Sequence, residues 1–343
     1  MPHSLPNDAI EDPHGEHSSG SSFRRRIWSE FVSYPKLSER GVLGPLAERQ
    51  IELCAAVTPD RLADVGGLVD ACRAEGVVLY LWPMLGDGDG RWARGDNHGA
   101  YSAFVDELLG QLDPAVLPQG LALDFEPSIE DLRRLVRGDL RTATRGLFRR
   151  GANVDFAPLA RAVHARGLRT LAAVPPVVVL DQNVRGWQRV LDTPVEDLPC
   201  EAMSPMAYSS LFEGYSRGFL RREDARCLLA WAASRTRKKF GERAALSLGV
   251  VGPGALGDEQ AYRDPSELAD DVGLARAAGV DDLALFSLDG VLVREPVESW
   301  LDAFATTPPA RRSPDLSGRA RMVAMATAGS SYAFRAFGLL PKV

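Results

Sequence analysis

Asp124 and Glu126 close the run Gly120-Leu121-Ala122-Leu123-Asp124-Phe125-Glu126, two carboxyl side chains with one residue between them. Side chains alternate along an extended strand, so this spacing puts both acids on one face and Leu121, Leu123 and Phe125 on the other. Two acids side by side against an apolar wall cannot both ionise freely, and at least one is held protonated toward neutral pH. A general acid needs that state. The plain alternative is a surface acid pair capping the next helix, since Pro127-Ser128 follow at once.

Other apolar runs carry side chains that suit the same chemistry. Ser204-Pro205-Met206-Ala207-Tyr208 sets Met206 and Tyr208 on one face, and Tyr80, Trp82 and Met84 share another. Leu171–Pro175 and Leu285–Asp289 end two more runs, the latter with Phe286 and Asp289. Each aromatic alone serves as core filling. Aromatic walls beside buried carboxyls are what a sugar ring needs, because its faces stack and its hydroxyls require hydrogen-bond partners. A second catalytic carboxylate, were one used, would come from Glu30, Asp181 or Asp289. The loop Gly86-Asp87-Gly88-Asp89-Gly90-Arg91-Trp92 is neither a dinucleotide fingerprint nor a closed calcium loop. It is expected to be a lid with Trp92 and His98 as substrate contacts, or else a solvated loop.

These residues need a scaffold that brings strand ends together. Eight apolar runs alternate with amphipathic stretches: Arg26–Val32, Ile51–Val57, Val77–Leu85, Gly120–Glu126, Arg169–Val179, Glu201–Tyr208, Ala244–Val251 and Asp282–Leu288. Helical patterns lie between them at Leu62–Ala74, Tyr101–Leu112, Asp224–Arg237 and Pro265–Ala278, and Gly76, Gly167 and Gly279 punctuate helix ends. The pattern predicts an α/β fold, a (β/α)8 TIM barrel of one domain over 23–307, with function at the C-terminal ends of its strands. A doubly wound open sheet is the competitor, but the phosphate-binding glycine loop it calls for is missing. Residues 1–22 read as a flexible, disordered tail. The stretch 127–168 is long for one crossover and reads as two helices or an insertion. Residues 308–343 form a C-terminal extension, read as a helix packing on the barrel or as a partner-binding or membrane-surface segment.

Composition removes several classes. The chain has 343 residues, 45% hydrophobic and 25% charged, which is globular rather than fibrous or disordered. Four cysteines without CxxC spacing are too few for a disulfide scaffold. A net charge of -6 offers no general attraction for nucleic acid, and the arginine clusters at 141–150 and 235–239 read as solvated helix faces. No run of 18 apolar residues suggests a transmembrane helix, and the polar, acidic start does not resemble a secretory signal, so a cytoplasmic chain is expected. Five scattered histidines, and the lack of GxxxxGK, HExxH and GxSxG, point to no metal and no cofactor.

The residues at the strand ends resemble glycoside hydrolase family 18, the chitinase and endo-N-acetylglucosaminidase barrels. That family carries Asp-Gly-x-Asp-x-Asp-x-Glu on its fourth strand and Met-x-Tyr-Asp on its sixth. Gly120, Asp124 and Glu126 match the first pattern, and Met206 and Tyr208 the second. Leu171–Pro175, Leu248-Gly249-Val250 and Phe286–Asp289 resemble its fifth, seventh and eighth strands, with Phe286 where the family has Trp. The resemblance runs in short pieces over about 26–305. It implies Glu126 as acid/base, with Asp124 and Tyr208 stabilising an intermediate formed by the substrate's own acetamido group. Trp82, Met206, Glu30, Phe286, Asp289 and Trp92 would bind an oligosaccharide or glycoconjugate. Gln119, Ala122 and Ser209 stand where the family has aspartates. Ala122, Ser209 and Phe286 favour the runner-up, a non-catalytic sugar-binding barrel; a two-carboxylate glycosidase using Glu30 or Asp289 is the other enzymatic option.

Overall fold

The computed structural model describes residues 23–338 apart from 140, 143–144, 146–153, 182–184, 253 and 255–256. The expected tail, 1–22, lies outside the described residues. Eight strands form one parallel sheet: β1 (Arg24–Ser29), β2 (Ile51–Val57), β3 (Leu79–Pro83), β4 (Gly120–Asp124), β5 (Arg169–Val174), β6 (Ala202–Pro205), β7 (Leu246–Gly249) and β8 (Asp282–Phe286). Strand neighbours follow chain order, and β1 also pairs with β8. Parallel bridges Met203–Ala244 and Met206–Ser247 bring β6 to β7. Ser204 and Ser247 hydroxyls meet across that seam at 2.8 Å. The sheet thereby closes as the (β/α)8 barrel that alternating apolar runs and helices require.

Alternation along each strand builds two layers. Ile27, Leu53, Leu81, Leu121, Leu123, Leu248 and Leu285 face outward into the apolar layer beneath the helices. Trp28, Cys54, Tyr80, Trp82, Ala122, Leu171, Ala173, Ala202, Ala245 and Ala284 face inward. The inner layer is lopsided. Large rings come from β1 and β3, while alanines dominate from β4 to β8, and this difference in volume leaves room at one end of the barrel. The other end is plugged by Arg26, only 1% exposed, which pairs with Glu52 at 2.9 Å and with Asp282.

Helices cover the outside. His98–Gln111, Arg222–Phe240 and Pro265–Ala277 match their expected positions within a few residues. The expected helix from Leu62 divides into a 3-10 turn, Pro59–Asp64, and the helix Val65–Ala74. The expected fifth strand stops at Val174, because Pro175-Pro176 withdraws ladder donors and Pro176–Leu180 turns as a 3-10 helix. The long crossover after β4 holds helices Ile129–Val136 and Ala157–Ala165. The C-terminal extension forms the helix Gly318–Gly338, whose Ala320 and Ala324 pack on Leu220, Cys227 and Leu228 beside the barrel. This is the packing expected for that segment, and Met322, Met325 and Tyr332 of the same helix are exposed. No helix among the described residues is long and apolar enough to cross a membrane.

Candidate active site

β4 sets the two carboxyls. Gly120 begins it where a Cβ would lie 2.2 Å from the Arg169 carbonyl oxygen and 2.9 Å from the Tyr80 ring, so β5 and Tyr80 approach only because the side chain is a hydrogen. From that close start the strand runs to Asp124, buried at 4% exposure, and its ladder continues one residue further through Phe125 N–H to the Ala173 carbonyl at 3.0 Å. Glu126 follows beyond the ladder, half-buried at the barrel mouth.

The neighbouring strand ends complete a cavity. Its wall includes Trp28 and Glu30 from the β1 end, Trp82 from β3, Asp124 and Glu126 from the β4 end, Met206 and Tyr208 after β6, and Phe286 from β8. Trp92 enters from the loop after β3, and Glu259 from the connection after β7. Trp28 and Trp82 meet edge to face at 4.9 Å, and Tyr208 stacks on Phe286 at 6.2 Å. Gly249 makes room for that phenol ring, since a Cβ there would approach Tyr208 Cδ1 to 3.1 Å.

The loop after β3 is an ordered wall. Ala93 N–H donates to the Asp124 carbonyl at 2.8 Å, docking the loop on β4. Arg91 reaches Glu30 at 2.7 Å and Asp87 at 2.9 Å. Asp96 N–H donates to Asp192 at 2.9 Å. These contacts hold Trp92 against the cavity. His98 instead starts the following helix and packs on Phe156 at 4.6 Å, away from the cavity wall.

Burial dominates the electrostatics. It pushes the Asp124 carboxyl well above its ordinary range, reinforced by Glu126 and Glu30 and partly opposed by Arg91. Glu126 is pushed up to about 8, by burial first and then by Glu30. Glu30 rises to about 7, again chiefly from burial, with Arg91 pulling the other way. Burial, then Glu126 and Asp124, keep the Tyr208 phenol protonated well beyond its ordinary range. Several polar atoms here have no hydrogen-bond partner among the described residues: Asp124 Oδ1 and the Nε1 atoms of Trp28, Trp82 and Trp92. Buried polar groups are normally satisfied, so these are donors and an acceptor available to a bound molecule.

Of the residues singled out in the sequence, Asp124, Glu126, Tyr208, Met206, Trp82, Trp92, Glu30 and Phe286 line this one cavity. Asp289 does not. Its carboxylate accepts the backbone N–H groups of Glu30, Phe31 and Val32 at 3.0, 2.7 and 2.9 Å, fixing the chain that leaves β1. Asp181 is likewise outside, accepting from the Trp187 and Gln188 N–H groups at 2.9 and 3.0 Å. Ser209, where family 18 has aspartate, turns from the cavity into a buried network, donating to Asp271 and accepting from Arg222 at 2.8 Å. Sequence reasoning missed Trp28 and Glu259. Trp28 was within reach, since it shares a strand face with Glu30; Glu259 lies in a long connection with no periodic pattern.

No family model matches the chain, and no curated protein matches it. Solved structures do. The glycoside hydrolase domain of PgaB from Bordetella bronchiseptica superposes with a TM-score of 0.50 at 14% identity, covering 83% of this chain and 99% of that one. A class V chitinase from Nicotiana tobaccum, solved with NAG4, gives 0.46 at 14% identity over 82% and 99%. A D-psicose 3-epimerase from Clostridium cellulolyticum H10 gives 0.42 at 10% identity over 92% and 98%. The shared feature is the fold. A shared fold does not fix a reaction, so the chemistry has to be argued from the site.

Proposed function

We propose that the protein is a glycoside hydrolase acting on an N-acetylated oligosaccharide with help from the substrate's own acetamido group. The observation that carries this reading is the meeting of Asp124, Glu126 and Tyr208 on one aromatic-walled cavity, with Glu126 pushed up to about 8. A carboxyl in that state is protonated at neutral pH and can give its proton to the glycosidic oxygen as the C1–O bond breaks. The acetamido oxygen then bonds to C1, closing a cyclic cation that Asp124 and the Tyr208 hydroxyl stabilise. Water attacks C1 and reopens the ring, and Glu126, now ionised, takes the water's proton.

Ala122 removes the carboxyl that family 18 places beneath the middle acid of its strand. Here the further acids that act on Asp124 are Glu126 and Glu30. Glu30 also supports a second reading, because it is a carboxyl in the same cavity and could serve as nucleophile or base in a two-carboxylate mechanism.

A panel of chromogenic glycosides with and without N-acetyl groups tests both. Turnover confined to N-acetylated substrates, reduced about 10³-fold in Glu126→Gln, is the expected result. Turnover of plain glycosides that Glu30→Gln abolishes would favour the second reading. Unaltered turnover in Glu126→Gln would defeat both.

A further inference from the structure

The helix Ile129–Val136 serves two cavities. Its Leu132 lines the one that holds Asp124 and Glu126, and its Ile129 packs on the same inner layer. Ile129, Glu130, Arg133 and Arg134 also line a groove of about 750 Å³, which Arg137 extends past the helix end. The loop after β3 contributes to both, giving Trp92 to the first cavity and Arg91 and Arg94 to the groove. Acids balance part of the charge. Arg91 is engaged with Asp87 and Glu30, Arg94 with Asp96 at 3.2 Å, and Arg134 with Glu130. The balance is incomplete on the crossover, where residues 129–150 carry seven arginines against three acids in a chain of net charge -6. Arg94 is only 8% exposed, and its Nε finds no acceptor among the described residues.

We propose that this groove binds an anionic substituent, a carboxylate or a sulfate, on the glycan chain whose reacting ring lies in the cavity. Guanidinium groups suit that ligand, because their planar N–H donors pair with two oxygens of one oxyanion. A single carboxylate partner uses at most two of the five donors, so an arginine already paired within the protein can still bind a second acid. No aromatic side chain among the described residues lines the groove, so it has no ring on which a neutral sugar could stack. A basic crossover on an acidic chain also confines the attraction to this side of the barrel mouth. The inference rests on the reading of the neighbouring cavity as a sugar site and adds the charge of the chain that leaves it.

Calorimetric titration of the full chain with N-acetylglucosamine hexamers that are plain, carboxymethylated or sulfated on O6 tests it. An anionic hexamer should bind about tenfold more tightly than the plain one, and added salt should shrink that ratio. Either anionic hexamer doing so upholds the inference, and the tighter of the two names the oxyanion. The double variant Arg133→Gln/Arg137→Gln should abolish the preference and leave the affinity for the plain hexamer within about twofold. Both arginines are exposed, so neither substitution opens the core, and Arg137→Gln alone should give part of the loss. Arg235→Gln/Lys238→Gln removes the same charge from the exposed face of the helix Arg222–Phe240 and should leave the preference unchanged. Equal affinities for all three hexamers, or an equal loss in both double variants, overturn the inference and leave the hydrolase reading intact. A preference lost in the groove variant, with no hexamer cleaved by the parent, upholds the groove and defeats the hydrolase reading. Failure of every hexamer to bind overturns both.

Discussion

In the proposed hydrolysis Glu126 gives a proton only while its carboxyl is neutral, so turnover should hold steady below about pH 8 and fall as pH rises through it. The same group makes a stability prediction of definite sign. Its ordinary value is 4.5, so between there and about 8 the folded chain holds a proton that the unfolded chain releases. Stability therefore falls as pH rises across that window, and Glu30, raised to about 7, acts in the same direction. Calorimetric melting at pH 5 and pH 8 should show a smaller loss in Glu126→Gln than in the parent; an equal or larger loss would contradict the raised value. The acid pair was legible because Asp124 and Glu126 obey the period of a strand, and because Leu121, Leu123 and Phe125 declare the opposite face. Asp289 was legible as a carboxyl at a strand end but not in its role. Only the folded backbone brings the Glu30, Phe31 and Val32 N–H groups to it, from more than 250 residues away in sequence.

The strands themselves were readable from their apolar runs, and their ends less so. A buried parallel strand and the loop that leaves it can share one composition, and the ladder stops where neighbouring backbones diverge. That is why Gly120–Glu126 reads as one run while β4 ends at Asp124, leaving Glu126 free to turn into the mouth. The tightest point of this element is Gly120, and a methyl group there has nowhere to go. Because the obstacles are the Arg169 carbonyl and the Tyr80 ring, relief requires moving β5 or the inner layer. Gly120→Ala should cost about 2 kcal/mol or more in chemical denaturation, and should lower turnover by shifting the strand that carries both acids. A variant as stable as the parent would show that the β4–β5 spacing is looser than these contacts imply.

The whole molecule separates the cavity end of the barrel from an outer brace. The C-terminal helix Gly318–Gly338 packs Ala320 and Ala324 against Leu220, Cys227 and Leu228, lies also against Pro176–Leu180 and Gly186–Leu191, and none of its described residues line the cavity. Ser317 adds a hydroxyl donor to Asp224 at 2.5 Å, just before that helix begins. Asp224 in turn accepts the Arg221 N–H at 2.9 Å in the first turn of Arg222–Phe240, so the extension braces the start of a long barrel helix. Ending the chain after Asp315 removes this brace and exposes the apolar side chains of Leu220 and Leu228, a loss of about 3 kcal/mol from apolar burial. In a chain of this size that corresponds to a melting temperature lower by about 5 °C. Turnover per folded molecule should stay within about twofold of the parent, because β1 to β8 close without the extension. Loss of turnover at a temperature where the shortened chain is still folded would tie the extension to the mouth of the barrel, and the separation of brace from cavity end would not hold.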